Sequence, residues 1–122
     1  MDAVTISHDV YAQLPALQDD NIRLAVLRSG QLDELVNCSL ITCSINDGPV
    51  YEALSYAWGD RIRGYPIALN GLPFIVFDNL GQALHQLRDT EHDRTLWIDA
   101  ICINQSDLEE RSSQVQKMQQ IY

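Results

Sequence analysis

Apolar and polar residues alternate in the first half of the chain, in the pattern of β-strands with one buried face. Ile22, Leu24 and Val26 would share one face of an extended segment, on the opposite side from Arg23. Ser29-Gly30 then breaks the pattern. We predict a first strand from Ile22 and two further strands, over residues 35–45 and 51–58.

A hairpin is predicted where two short apolar runs flank Asn70-Gly71. This pair favours the positive φ angles of a tight two-residue turn. The paired strands would contain residues 67–69 and 74–77, although Pro73 restricts their hydrogen bonding.

Helical periodicity appears over residues 78–88, where apolar residues recur at positions i, i+3, i+4 and i+7. Asp78 or Asn79 is the expected N-cap. An almost continuous apolar run follows at 96–103, and we interpret it as the central strand, covered on both faces. Asp99 lies inside this run.

A second helix is predicted to begin at Ser106, because Ser106 and Glu109 have the spacing of a capping box. Two stripes would run along it. The apolar stripe contains Leu108, Val115, Met118 and Tyr122, and the polar stripe contains Glu110, Gln114 and Lys117.

Composition and charge exclude several classes of function. The 122 residues are 46% apolar, which fits one domain with a core, and the net charge of −9 argues against nucleic-acid binding. No apolar run is long enough to span a membrane, and the N-terminus lacks the features of a secretory signal. We therefore expect a cytoplasmic location.

The three cysteines and three histidines show no spacing typical of a metal site. We expect no metal, and we expect the thiols to be reduced and mainly structural. A nucleophilic role for Cys102 with His85 or His92 is a minor alternative, because Cys102 falls in a buried pattern.

Three sequence blocks resemble the fungal heterokaryon-incompatibility (HET) domain family. They are YEALSYAWGD at residues 51–60, LWIDAICINQ at 96–105, and a block at 107–122 that includes Glu110-Arg111, Gln114-Val115 and Ile121-Tyr122. The linking segments IALNG and NLGQALHQLR also match. The resemblance extends from about Ile22 to the end.

The resemblance implies an α/β fold similar to Toll/interleukin-1 receptor (TIR) domains, a flavodoxin-like parallel sheet flanked by helices. We expect an N-terminal antiparallel β extension to this sheet. We divide the chain into an N-terminal extension, 1–21, and a partial HET-like domain, 22–122. Because the family usually continues with further strands and helices, we expect the domain to be truncated at its C-terminus.

The first candidate ligand-binding residues end the predicted third strand: Tyr56, Trp58, Gly59 and Asp60. Loops after strands commonly bind ligands in α/β sheets, and the rings are suited to stacking on a base. Alternatively, the aromatic residues are core anchors and Gly59-Asp60 is a turn.

Asp99, Asn104 and Gln105 are further ligand-binding candidates. A carboxylate in an apolar run needs a partner or an opening, so Asp99 either binds a ribose hydroxyl or accepts local hydrogen bonds. Asn104 and Gln105 either line a crevice or cap the next helix.

Glu110 is the catalytic candidate, since some TIR domains cleave NAD with a glutamate. In those enzymes the glutamate belongs to a later helix. The simpler interpretation is a solvated acid in the first helical turn, favoured by the helix dipole.

Three functions follow from the resemblance. The first is a module for non-self recognition and programmed cell death, acting through protein partners or self-association. The second is a TIR-like NAD glycohydrolase, with NAD as substrate rather than as a resident cofactor. The third is an inactive, truncated fragment.

Overall fold

Six strands form one sheet in the computed structural model, which describes residues 10–18, 20–54 and 64–122. The strands are β1 (Asn21–Leu27), β2 (Asn37–Ser44), β3 (Glu52–Ala53), β4 (Gly64–Leu69), β5 (Leu72–Phe77) and β6 (Arg94–Trp97). The helices that follow β5 and β6 are α1 (Asp78–Leu87), α2 (Asp99–Cys102) and α3 (Leu108–Ile121). A 3-10 turn, Ile45–Asp47, follows β2.

The sheet is mixed; we predicted a parallel sheet with an N-terminal antiparallel β extension. Its order is β3-β6-β1-β2-β4-β5. The pairs β1–β2, β1–β6 and β4–β5 are antiparallel, and β2–β4 and β3–β6 are parallel. The short connections from β1 to β2 and from β4 to β5 favour antiparallel pairing, because parallel neighbours need long crossovers.

Strand β1 lies near the middle of the sheet and confirms the strand predicted from Ile22. Its burial is more complete than the alternating pattern indicates, because residues 22–25 are all buried. Arg23 is among them, although the pattern placed it on the exposed face. The prediction of a half-buried strand was therefore wrong about the face that carries Arg23.

The apolar run at 96–103 is not one strand. Strand β6 ends at Trp97, and α2 begins at Asp99. Ile101 and Cys102 are buried on this helical turn. Helical and extended segments can bury the same short apolar run, so the pattern could not distinguish them.

The predicted hairpin is confirmed. Strands β4 and β5 pair in antiparallel register around Asn70 and Gly71, whose φ angles are 52° and 77°. Pro73 lies opposite Ala68 on β5, which is an edge strand of the described sheet. An edge position tolerates proline because one side of the strand needs no ladder partner.

Helix α1 confirms the predicted amphipathic helix, with Leu80 and Leu84 buried against the sheet. Its N-cap is Phe77, one residue before the expected Asp78 or Asn79. Strand β5 runs directly into the helix, and the bend therefore falls at the last strand residue.

Helix α3 begins one residue later than predicted. The side that it buries is not its apolar stripe. Its N-cap is Asp107, whose side chain accepts a hydrogen bond from the Glu110 amide at 3.1 Å, and not Ser106. Gln114 and Ile121 are buried on it, whereas Leu108 and Val115 are exposed. Of the predicted apolar stripe, Met118 packs against the core and the Tyr122 ring contacts Trp97, whereas Leu108 and Val115 face outward.

The core lies between the sheet and the helices. Its largest fully buried side chain is Trp97. Val10 and Tyr11, from the predicted N-terminal extension, are buried in the same cluster. The Tyr11 hydroxyl donates a hydrogen bond to the Ile101 carbonyl at 2.5 Å. None of the helices in the described ranges is long and apolar enough to span a membrane.

Candidate functional site

The predicted site residues fall into two groups. Tyr56, Trp58, Gly59 and Asp60 lie outside the described residues, and their role stays a prediction. The others lie between the start of α2 and the first turn of α3: Asp99, Asn104, Gln105 and Glu110.

Glu110 forms a buried ion pair with Arg23 of β1. The Arg23 Nη1 and Nη2 atoms donate to Oε2 and Oε1 of Glu110 at 2.7 and 2.8 Å. The side chains are only 3% and 9% exposed. The Asn104 amide also donates to Oε2, at 2.5 Å. Glu110 is therefore not the solvated acid of the simpler prediction, and both carboxylate oxygens are engaged.

Arg23 is a residue that the sequence did not mark as important. Its guanidinium lies over the Tyr11 ring, 5.4 Å from the ring centroid, and Nη1 also reaches the Cys102 carbonyl at 3.5 Å. These contacts join β1, α2 and α3 at one point. The sequence around Arg23 does not reveal that it is buried in an ion pair, because its partner Glu110 is 87 positions away.

An open cleft of about 400 Å³ lies beside α3. It brings together two of the predicted residues, Asp99 and Gln105, with Arg111, which was not predicted for the site. Apolar side chains form the remaining walls. The cleft is lined by Phe77, Asp99, Ile103, Gln105, Arg111, Val115 and Met118.

Asp99 is half-buried at the edge of this cleft. Burial raises the pKa of its carboxyl above the ordinary value of 3.8, against the opposing effect of backbone hydrogen bonds at Ala100 and at Asp99 itself. The Gln105 Nε2 atom donates to the Asp99 carbonyl at 2.7 Å and ties the loop to α2. Asp99 thus combines local hydrogen bonds with access to an opening.

Asn104 is a turn residue in the structure. Its Oδ1 atom accepts a hydrogen bond from the Ser106 backbone amide at 3.2 Å. The backbone amide of Asn104 donates to the Glu110 carboxylate. It is not among the residues that line the cleft. The geometry therefore supports the capping alternative for Asn104.

Cys102 is fully buried, and burial raises its pKa to about 12. Its sulfur contacts the Ile98 amide at 3.4 Å. A thiol in this environment stays protonated and unreactive. In the part of the chain that the structure describes, no three His, Cys, Asp or Glu side chains are grouped to hold a metal ion.

The cleft presents one carboxylate, one guanidinium and apolar walls, which is a surface suited to binding. Glu110 lies apart from it, in a separate ion pair. Fold and site together define an α/β domain with a mixed sheet and a cleft along its last helix.

Comparison with known proteins identifies the family. Residues 51–122 match the heterokaryon incompatibility protein (HET) family. Heterokaryon incompatibility protein 6, OR allele, of Neurospora crassa is 36% identical over 124 residues. The alignment covers 88% of this chain but 18% of that relative. No solved structure matches the chain.

The chain belongs to the HET family, and the resemblance drawn from its sequence blocks is confirmed. The match includes the cleft and the whole of α3.

Proposed function

We propose that the chain acts in the fungal cytoplasm as an interaction module for non-self recognition and programmed cell death. The observation that carries this proposal is the family match over residues 51–122, which contains every residue that lines the cleft. A TIR-like, flavodoxin-like arrangement is part of the proposal because the family resemblance implies it; the parallel pairs β2–β4 and β3–β6 are the part of the described sheet that agrees with it.

The geometry favours binding over catalysis. Both oxygens of Glu110 are held by Arg23 and by the Asn104 amide, so the carboxylate has little freedom to serve a substrate. In contrast, the cleft and the outer side of α3 present apolar and charged groups to solvent. Such surfaces are what a module acting by contact requires.

A second candidate is the TIR-like NAD glycohydrolase. The half-buried Asp99 in a cleft is the observation that favours it, since a carboxylate that lines a cleft can accept a hydrogen bond from a ribose hydroxyl. In this mechanism Asp99 would be the more accessible acid. Glu110 would contribute by holding α3 in place.

The experiment is inducible expression of the chain in a fungal host, with viability and cellular NAD followed together. The variants are Asp99→Asn, which removes the negative charge from the cleft, and Glu109→Gln, which changes an exposed acid one residue before Glu110. The module predicts loss of viability in the wild type and both variants, with NAD unchanged before death.

NAD loss that precedes death, and that Asp99→Asn alone abolishes, would establish the enzyme and overturn the module. A folded chain that affects neither viability nor NAD would identify the inactive fragment. Circular dichroism of the purified proteins verifies that each variant is folded.

A further inference from the structure

The β4–β5 hairpin is joined to the rest of the described sheet through a short contact with β2. Strand β4 pairs with β2 at two residue pairs. Asn70, the first residue of the hairpin turn, extends this contact beyond the strand. Its backbone amide donates to the Cys38 carbonyl at 3.0 Å, and its Oδ1 atom accepts from the Leu40 amide at 2.7 Å. Asn70 therefore makes two of the hydrogen bonds that hold the hairpin on β2.

The residue that follows Asn70 leaves the asparagine side chain open to attack by the main chain. Gly71 has no Cβ atom to obstruct the approach of its own backbone nitrogen to the preceding side-chain amide. It is exposed, and no described residue beyond its chain neighbours comes within 4 Å of the position that a Cβ would take. The hairpin ladder closes at Leu69 and Leu72, so an attack by the Gly71 nitrogen breaks none of its hydrogen bonds.

The Leu40 amide lies on the carbonyl that such an attack would change. As the Gly71 nitrogen adds to Cγ of Asn70, negative charge develops on Oδ1. This is the atom to which the Leu40 amide donates at 2.7 Å. A donor already aimed at the developing charge stabilises the transition state of the addition.

We propose that Asn70 is a site of spontaneous deamidation and that the isoaspartate formed there weakens the attachment of the β4–β5 hairpin to β2. In the first step the Gly71 nitrogen bonds to Cγ of Asn70. The Cγ–Nδ2 bond breaks, and Nδ2 leaves as ammonia with the proton from the Gly71 nitrogen. One water molecule then opens the resulting succinimide ring. Addition of water at Cγ gives aspartate at position 70, and addition at the backbone carbonyl carbon gives isoaspartate.

The two products differ in their effect on the sheet. Aspartate keeps the backbone of the turn and an acceptor oxygen for the Leu40 amide, so the attachment to β2 should persist. Isoaspartate carries the main chain through Cβ and Cγ, which lengthens the turn by one backbone carbon. Because loop length determines the turn type and the register of a hairpin, the two hydrogen bonds of Asn70 to β2 cannot both be kept.

Other sites in the chain serve as internal comparisons. Asn46 is exposed and Asn104 is partly buried, as Asn70 is, but each is followed by a residue whose side chain obstructs the backbone nitrogen. Asp47 precedes Gly48, yet its ionised carboxylate is a poorer electrophile than a carboxamide. Reaction concentrated at Asn70 would therefore identify the combination of a carboxamide with a following glycine.

The test incubates the folded chain at mildly alkaline pH and follows the tryptic peptide of residues 64–88 by mass spectrometry. Fragmentation of the peptide distinguishes aspartate from isoaspartate at position 70. We expect both products, formed at least about tenfold faster than deamidation at Asn46 or Asn104. Methylation by a protein isoaspartate methyltransferase should label this peptide, and Asn70→Gly, which keeps the positive φ angle, should remove that label.

Two outcomes would overturn the site. If Asn70 stays intact in the folded chain but reacts in urea, the hairpin prevents the attack. If Asn70, Asn46 and Asn104 react at equal rates, the exposed glycine and the Leu40 contact have no influence on the reaction. Circular dichroism verifies that the incubated protein is folded.

The structural consequence is measured on the separated products. Anion-exchange chromatography isolates the isoaspartate form, whose Leu40 amide should exchange hydrogen at least about tenfold faster than in the unreacted chain. The matched control is freshly prepared Asn70→Asp, which carries the added charge without the longer backbone and should exchange as the wild type does. An isoaspartate form with wild-type exchange at Leu40 would reject the proposed weakening of the β2 contact.

Discussion

Arg23 and Glu110 join the middle of the sheet to the last helix through a two-point ion pair, with nitrogen–oxygen distances of 2.7 and 2.8 Å. Their side chains are almost completely buried. The pair determines which side of α3 faces the protein, because a buried charge must meet its partner. The outward direction of Leu108 and Val115 follows from this constraint.

We predict that Glu110→Ala lowers the free energy of unfolding by about 3 kcal/mol or more, because the Arg23 guanidinium would remain buried without its partner. Urea denaturation followed by circular dichroism measures this. Glu109→Ala is the control. Glu109 is exposed, and its replacement should change stability by less than about 0.5 kcal/mol.

The double variant Arg23→Met, Glu110→Leu should be more stable than Glu110→Ala. Apolar side chains of similar volume remove both desolvation costs together. A double variant that is less stable than Glu110→Ala would show that the ion pair stabilises the fold by more than the cost of burying its two charges.

The β4–β5 turn also stabilises β2. The Oδ1 atom of Asn70 accepts a hydrogen bond from the Leu40 amide at 2.7 Å, and Asn70 has a positive φ of 52°. Asn70→Gly keeps that backbone conformation but removes the acceptor. We expect it to cost about 1–3 kcal/mol and to accelerate hydrogen exchange at Leu40.

Asn70→Asp is the matched control, because it preserves an acceptor at the same position. Its stability should lie within about 1 kcal/mol of the wild type. If Asn70→Gly unfolds at the wild-type urea concentration, the contact with Leu40 has no net stabilising effect.

Gly81 allows α1 to pack closely on β4. A Cβ atom at this position would overlap the ring of Tyr65. Gly81→Ala should therefore destabilise the protein by about 1–3 kcal/mol, despite the higher helix propensity of alanine. Thermal unfolding measures the change, and Gln86→Ala, at an exposed position of α1, should have little effect.

The same substitution in a Tyr65→Ala background tests the cause. Removing the ring removes the two closest contacts but leaves the Tyr65 Cβ atom, 2.5 Å from the added Cβ, so Gly81→Ala should cost less in this background than in the wild type. An equal loss of stability in both backgrounds would show that the Tyr65 ring is not responsible.

The three thiols should differ in reactivity. Burial raises the pKa of Cys38 and of Cys102 to about 12, whereas Cys43 is half-buried and its pKa is raised by partial burial and by Asp47. With Ellman's reagent at about pH 8, Cys43 should react first. Cys38 and Cys102 should react at the rate of unfolding, and Cys43→Ser should abolish the fast phase.

The buried thiols also make stability depend on alkaline pH. In the unfolded chain they lose their protons near pH 9.0, whereas in the folded chain Cys38 and Cys102 retain them to about pH 12. The folded state binds more protons in this interval, and its stability should fall as the pH rises from 9.0. Urea midpoints that stay constant above pH 9.0 would contradict this assignment.

Short-range patterns in the sequence were sufficient to predict several of the secondary-structure elements. Asn70-Gly71 predicted the hairpin because its turn depends only on local backbone angles. The periodicity at residues 78–88 predicted α1 because its apolar face packs on the sheet. The family blocks, with Asp99 and Gln105 at the cleft, were also visible in the sequence.

Long-range contacts decided the rest. The run at 96–103 changes from strand to helix at Asp99, although its burial is compatible with either form. The sheet is mixed because the parallel pairs β2–β4 and β3–β6 occur beside antiparallel pairs, and the pairings of β6 with β1 and with β3 join segments far apart in the chain.

By itself, the sequence determined the family, the hairpin, the amphipathic α1 and the acidic composition, because these depend on residue identity and local spacing. The tertiary structure alone decided how α3 is oriented. Its apolar stripe satisfies the usual rule for a buried face, but Arg23, 87 positions earlier, requires Glu110 as its partner in the interior. The need to neutralise a buried charge outweighed the pattern and left Leu108 and Val115 exposed.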